Sequence, residues 1–196
     1  VHPIRRICVF CGSNRGGDPA YAAAARAFGE ALVRRKIGLV TGAGGTGLMG
    51  EAIDAVLRGG GEAIGVIPHA LVLRELAHAG LRDLRVVRSM HERKAMMAEL
   101  SDGFVALPGG FGTLEELLEI VTWAQLGLHG KPVGVVNVKG YYDPLLALLD
   151  HAVGEGFLKP LHRGMLLVGK DPEDLLAQFD RHVPTAVEKW ITPDQA

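Results

Sequence analysis

The residues best suited to chemistry in this chain stand together at 108–116, Pro-Gly-Gly-Phe-Gly-Thr-Leu-Glu-Glu. The apolar run 104–107 precedes them, so a buried strand is expected to break into a glycine turn and open a helix. Gly109, Gly110 and Gly112 free the backbone to approach a ligand closely, and the first amides of a new helix have no intrahelical acceptor. A nucleotide phosphate fits such a place. Glu115 and Glu116 follow at once, and a bare phosphate site has no use for negative charge. The pair points to a site that both holds an anion and acts on what is attached to it. A second account is equally open. Thr113-x-x-Glu116 fits a capping box, in which both side chains serve helix amides and nothing is catalysed.

Three other segments bear on that site. Gly42-x-Gly44-x-x-Gly47 matches the dinucleotide fingerprint between a strand and a helix. It follows the second strand rather than the first, however, and the next strand ends Val66-Ile67-Pro68-His69 without an acidic residue for the ribose hydroxyls. A loop that contacts the phosphate or ribose of a mononucleotide, through Gly44 and Gly45, fits better; a purely structural turn is the alternative. Ser89-Met-His-Glu92 is a further capping-box pattern, and the helix it opens places Arg93 on one stripe with Met90 and Met97. A guanidinium aimed inward needs an anion, and Glu115, Glu116 or a bound phosphate would supply it, whereas a snorkelling Arg93 would need none. Lys94, one step around, faces either a phosphate or solvent. Glu75, in the irregular stretch after the third strand, is a weaker candidate for the ligand edge. Cys8 and Cys11 form a C-x-x-C without a second ligand pair and read as free, buried or half-buried thiols. The eight histidines show no ligand spacing, so no metal is expected.

The elements that must hold these residues alternate. Strand-like runs at 7–10, 37–41, 63–67, 84–87, 104–107, 133–138 and 165–168 are interleaved with helical patterns at 20–35, 48–57, 90–100, 114–126, 144–153 and 173–179. That order implies an α/β fold, a mainly parallel doubly wound sheet with helices on both faces, whose ligands sit at the carboxyl ends of the strands. The turns at Gly12, 42–47 and 109–112 all follow strands and are expected to gather along that edge. One domain over 1–191 with a loose tail at 192–196 suits the 196 residues, as does an apolar content of 48%. A net charge of −1 without a long basic run argues against a nucleic-acid polymer or an anionic membrane as partner. No stretch is apolar for long enough to span a bilayer, and the first residues lack a signal-peptide core, so a cytoplasmic protein is expected.

Taken together, Phe10-Cys11-Gly12-Ser13, Gly42-Ala-Gly-Gly-Thr-Gly-Leu-Met49, Met90-His-Glu-Arg-Lys94, the 108–116 motif, Thr122-Trp-Ala-Gln-Leu126 and Gly140-Tyr-Tyr-Asp-Pro-Leu145 give a specific likeness. The chain resembles, over nearly its whole length, the Lonely Guy family of cytokinin-activating phosphoribohydrolases. The resemblance implies a Rossmann-like fold, a homodimer and hydrolysis of N6-modified adenosine 5'-monophosphates to free base and ribose 5-phosphate, with no cofactor. It assigns catalysis to Arg93 and Glu116, and places Ser13, Glu75, Lys94, Gly110, Phe111, Gly112, Thr113, Leu114, Glu115 and Thr122 in the nucleotide site. Members often carry the label lysine decarboxylase, but no lysine here stands in a recognisable pyridoxal-phosphate context. A nucleotide carrier or sensor would use the same glycine loops without chemistry, and a broader nucleosidase would act on unmodified AMP. Trp123 and Leu126 offer apolar contact for a dimer or belong to the core.

Overall fold

The computed structural model of the chain describes residues 3–72 and 77–187. Seven strands form one sheet: β1 (Arg6–Phe10), β2 (Gly38–Thr41), β3 (Ala63–Pro68), β4 (Asp83–Val87), β5 (Gly103–Ala106), β6 (Val133–Val136) and β7 (Leu166–Gly169). Their order is β4-β3-β2-β1-β5-β6-β7 and every pairing is parallel. The chain moves outward from β1 to β4, then returns across the sheet to lay β5 on the other side of β1. At that reversal the loops leaving β1 and β5 lie side by side and border a crevice at the carboxyl ends of the strands.

Helices α1 (Pro19–Arg34), α2 (Gly47–Arg58), α3 (Met90–Glu99), α4 (Phe111–Gln125), α5 (Asp143–Gly154), α6 (Pro160–Arg163) and α7 (Pro172–Asp180) flank the sheet. Alternation along β1 divides the core. Ile7 and Val9 pack with Phe28 and Leu32 of α1, Ile53 and Val56 of α2 and Phe179 of α7. Cys8 and Phe10 face the opposite way, toward Met97 of α3, Leu117 and Ile120 of α4, and Tyr142. Because both faces are covered, β2, β3, β5 and β6 are buried at every position and read as continuous apolar runs. The edge strand β4 alternates instead, leaving Val86 exposed.

Three local features depart from the expected pattern. Strand β6 ends at Val136 rather than 138, since Val138–Gly140 turns as a 3-10 element with Lys139 at φ 53°. The four-residue α6 was not foreseen, being too short to show a period. Helix α4 opens at Phe111, three residues before the expected start at 114, because the glycine turn is complete by Gly110. Glu75 and the 192–196 tail lie outside the described residues.

Candidate active site

The early start of α4 decides what its first residues can do. Gly110 is the N-cap, with extended backbone and no side-chain cap, and no acidic residue occupies the first turn. Thr113 therefore sits inside the helix, almost fully buried, and Glu116 lies a turn further on. The capping-box account is overturned, since the pair begins three residues too late to serve the helix terminus. What remains is a helix start whose first amides have no acceptor within the helix, facing a crevice. Added methyl groups at Gly110 and Gly112 would meet nothing within 4 Å, so both border open space.

The turn is held from beneath and from the side. Gly12 N–H donates to the Pro108 carbonyl at 3.0 Å, joining the loop after β1 to the loop after β5. The Tyr141 hydroxyl donates to the Gly109 carbonyl at 2.6 Å, and that of Tyr142 to the Leu107 carbonyl at 2.7 Å. Tyr141 also meets Tyr21 of α1 edge-on, with ring centroids 5.7 Å apart. These loops and the starts of the neighbouring helices close around a cleft of about 480 Å³. Among the described residues it is lined by the Cys11–Gly16 loop, Tyr21, Leu48, Met49, Met90, Arg93, the Pro108–Thr113 turn, Glu115, Glu116 and Tyr141.

Arg93 and Glu116 reach this cleft from different helices, α3 and α4. Arg93 is only 4% exposed, and its Nη2 donates to the Gly42 carbonyl at 3.0 Å, so the snorkelling alternative fails. A Cβ at Gly42 would collide with that guanidinium, so a side chain there would displace Arg93 from its position. Both charges also act on the end of β1. Burial drives the Cys8 thiol pKa well up, the Glu116 carboxylate pushes it further, and Arg93 opposes. Burial and then Glu116 likewise raise Cys11, so both cysteines are free, buried and protonated. The sequence left Glu115 and Glu116 undivided, and the structure separates them. Lys94 Nζ donates to Glu115 at 2.6 Å and to Glu119 at 2.9 Å, a clamp between α3 and α4. Burial lowers the Lys94 pKa, but the two carboxylates outweigh it and the net shift is upward, so the ammonium stays charged.

Of the candidate residues, the structure gathers Ser13, Arg93, Gly110, Phe111, Gly112, Thr113, Glu115 and Glu116 along the cleft. It does not bring Lys94, Leu114, Thr122, Gly44 or Gly45 there. Lys94 is committed to its clamp, Leu114 packs against the core, and Thr122 is exposed and donates to the Leu118 carbonyl at 2.7 Å. Gly44 pairs with Ala77 and its N–H donates to the Met49 sulfur at 3.0 Å, while the Gly45 backbone packs against Gly50. The fingerprint loop also buttresses the loop after β1: Gly47, at φ +64°, lies against the Ser13 carbonyl, and Leu48 N–H donates to the Gly12 carbonyl at 3.0 Å. Sequence reasoning missed Arg15, Tyr21 and Tyr141. Arg15 follows the first strand within a Gly-rich loop and Tyr141 sits in the 140–145 motif, signals readable in principle.

Known proteins sharpen this geometry. A family model described as possible lysine decarboxylase matches residues 49–179. The probable cytokinin riboside 5'-monophosphate phosphoribohydrolase LOGL9 of Oryza sativa subsp. japonica is 53% identical over 181 residues, 92% of this chain and 80% of its own. The cytokinin riboside 5'-monophosphate phosphoribohydrolase LOG7 of Arabidopsis thaliana is 49% identical, with 92% of this chain and 83% of its own covered. Among solved structures, the molybdenum cofactor binding protein of Rippkaea orientalis superposes with a TM-score of 0.70 at 20% identity, over 92% of this chain and 98% of that one. At that identity the likeness concerns the fold.

Proposed function

Because the chain belongs to the family of cytokinin riboside 5'-monophosphate phosphoribohydrolases, we propose that it hydrolyses the N-glycosidic bond of N6-modified adenosine 5'-monophosphates, giving free base and ribose 5-phosphate. The observation that carries the reading is the convergence of Arg93 and Glu116 on one cleft beside an uncapped helix start.

In this account the phosphate rests on the backbone amides of Gly110, Gly112 and Thr113, which places the ribose over the first turns of α4. Thr113 and Glu116 are three residues apart and share a helix face, so the carboxylate lies roughly 4.5 Å further along the axis, about where a sugar follows its phosphate. As the C1'–N9 bond breaks, its electron pair leaves with the purine and positive charge builds on the ribose. The Glu116 carboxylate stabilises that charge and accepts a proton from the water that bonds to C1', and the departing purine takes a proton from solvent to become the free base. Arg93, anchored through Gly42, holds the local negative charge in place. The Lys94 clamp withdraws Glu115 from the phosphate, relieving the repulsion that two carboxylates at one helix start would otherwise exert.

The description carried by the matching family model does not suit the cleft. Lysine decarboxylation needs a lysine to hold pyridoxal phosphate, and the cations among the described lining residues are arginines. The same reading takes the sheet as doubly wound and Rossmann-like within one domain. It also takes the protein as a homodimer, with Trp123, half-buried in a second groove between α3 and α4, supplying apolar contact. Sedimentation at the mass of one chain would contradict the dimer. The activity is tested by chromatography of the protein incubated with isopentenyladenosine monophosphate, AMP and isopentenyladenosine. Base release from the modified monophosphate is expected; release from the nucleoside at the same rate, or from none of the three, would overturn the reading.

A further inference from the structure

Resting on that reading, the cleft leaves one cation without a task. Arg15 lines it from the loop after β1, and its side chain is 71% exposed. The loop is fixed in place: Gly12 is bonded to Pro108, Gly47 lies against Ser13, and the Thr46 hydroxyl donates to the Ser13 carbonyl at 3.2 Å. A well-anchored loop therefore presents an exposed guanidinium at the mouth, on the side where Gly12 abuts the 108–113 turn. Arg93, the other cation of the described lining, is buried and bonded inward.

Arg15 pairs with Glu51 at 2.6 Å, on a carboxylate that is nearly buried. Losing a partner would ordinarily leave Glu51 as an uncompensated charge. Here it does not, because the second oxygen of Glu51 is already held by Arg26 at 2.8 Å. Two guanidinium groups share one carboxylate, so the cluster carries a surplus positive charge and can release Arg15 without stranding Glu51. A dianionic phosphate nearby would compete well for it, since arginine forms two parallel bonds to phosphate oxygens.

We propose that Arg15 recognises the 5'-phosphate, exchanging its bond to Glu51 for bonds to the phosphate oxygens, and so sets the preference for nucleoside monophosphates over nucleosides. The test is Arg15→Gln against the native protein, with isopentenyladenosine monophosphate turnover and ribose 5-phosphate binding by calorimetry. The expected result is a KM raised roughly tenfold or more, kcat within about twofold, and an equal loss of affinity for ribose 5-phosphate. Added salt should raise KM more steeply in the native protein than in the variant. Glu51→Gln separates recognition from a merely structural ion pair. Freed from its partner, Arg15 should then bind phosphate as well or better, so KM stays level or falls; a rise matching that of Arg15→Gln would overturn the proposal. Unchanged KM and ribose 5-phosphate affinity in Arg15→Gln would also overturn it. Should the native protein release no base from any monophosphate, the hydrolase reading fails by itself, and ribose 5-phosphate binding still judges Arg15.

Discussion

At the level of single residues, the site depends on a few charges whose partners and burial differ sharply. Arg93 is the clearest instance. Its stripe with Met90 and Met97 was legible from spacing, and the burial follows from Met97 and Arg93 both facing the sheet. What spacing did not reveal was its acceptor, the Gly42 carbonyl 51 positions away in sequence, because a backbone oxygen leaves no mark on residue types. Truncation should therefore have two effects. Arg93→Ala is expected to lose base release and also to destabilise the protein by about 1–3 kcal/mol, since it strands a buried carbonyl. Turnover and urea unfolding measured on one preparation would check this, and full stability with lost activity would limit Arg93 to chemistry. Glu115 was indistinguishable from Glu116 in the sequence for a similar reason. The Lys94 clamp, made between α3 and α4, tells them apart.

Among the elements, the turn between β5 and α4 does the most, and its three glycines divide by task. A methyl group at Gly109 would collide with the Thr113 hydroxyl and the Gly12 backbone nitrogen. Those at Gly110 and Gly112 would project into open space. Gly109→Ala should thus cost about 1–3 kcal/mol of stability. Gly112→Ala, within the first turn of α4, should leave stability unchanged or raise it by roughly 0.5–1 kcal/mol while weakening monophosphate binding, because the methyl occupies ligand space. Thermal melts and KM values for the two variants would show whether stability and binding part in this way. Most helices and strands were readable to within a residue, since each has its own period and punctuation; the start of α4, the end of β6 and the short α6 were the exceptions. The turn's outcome was not: Gly110 as an uncapped N-cap and Thr113-x-x-Glu116 as a capping box predict the same letters, and only where α4 begins separates them. The 42–47 loop shows the converse ambiguity. Its glycines satisfy a phosphate fingerprint, yet close approach of Ser13, Met49 and Gly50 explains them.

Across the whole molecule, the strand order places β1 and β5 side by side at the reversal, so the loops at 11–16 and 108–113 meet although nearly a hundred residues separate them. Alternating strands and helices were enough to anticipate parallel pairing and the ligand edge, whereas which loops share the crevice depends on strand order, which periodicity does not encode. Stability of this assembly should depend on pH through His129. Burial depresses its pKa below the ordinary value near 6.5, aided by the Lys131 and His182 charges and opposed by its hydrogen bond to the Ile120 carbonyl. The unfolded chain then binds the proton more readily than the folded one. The contribution is present above about pH 6.5 and is lost as pH falls through the depressed value. Urea unfolding between pH 5 and 8 should show stability falling toward the acid side, and His129→Gln should flatten that part of the curve; an unchanged slope would remove His129 as its source.

All of this converges on the carboxylate of Glu116. The most direct test is to compare native protein with Glu116→Gln, measuring base release from isopentenyladenosine monophosphate and, on the same samples, binding of that nucleotide. The account predicts that release falls by roughly a thousandfold or more while the dissociation constant changes only a few-fold, as for a group needed at the transition state rather than for holding substrate. Turnover retained in Glu116→Gln would contradict it and move the chemistry to another residue of the cleft.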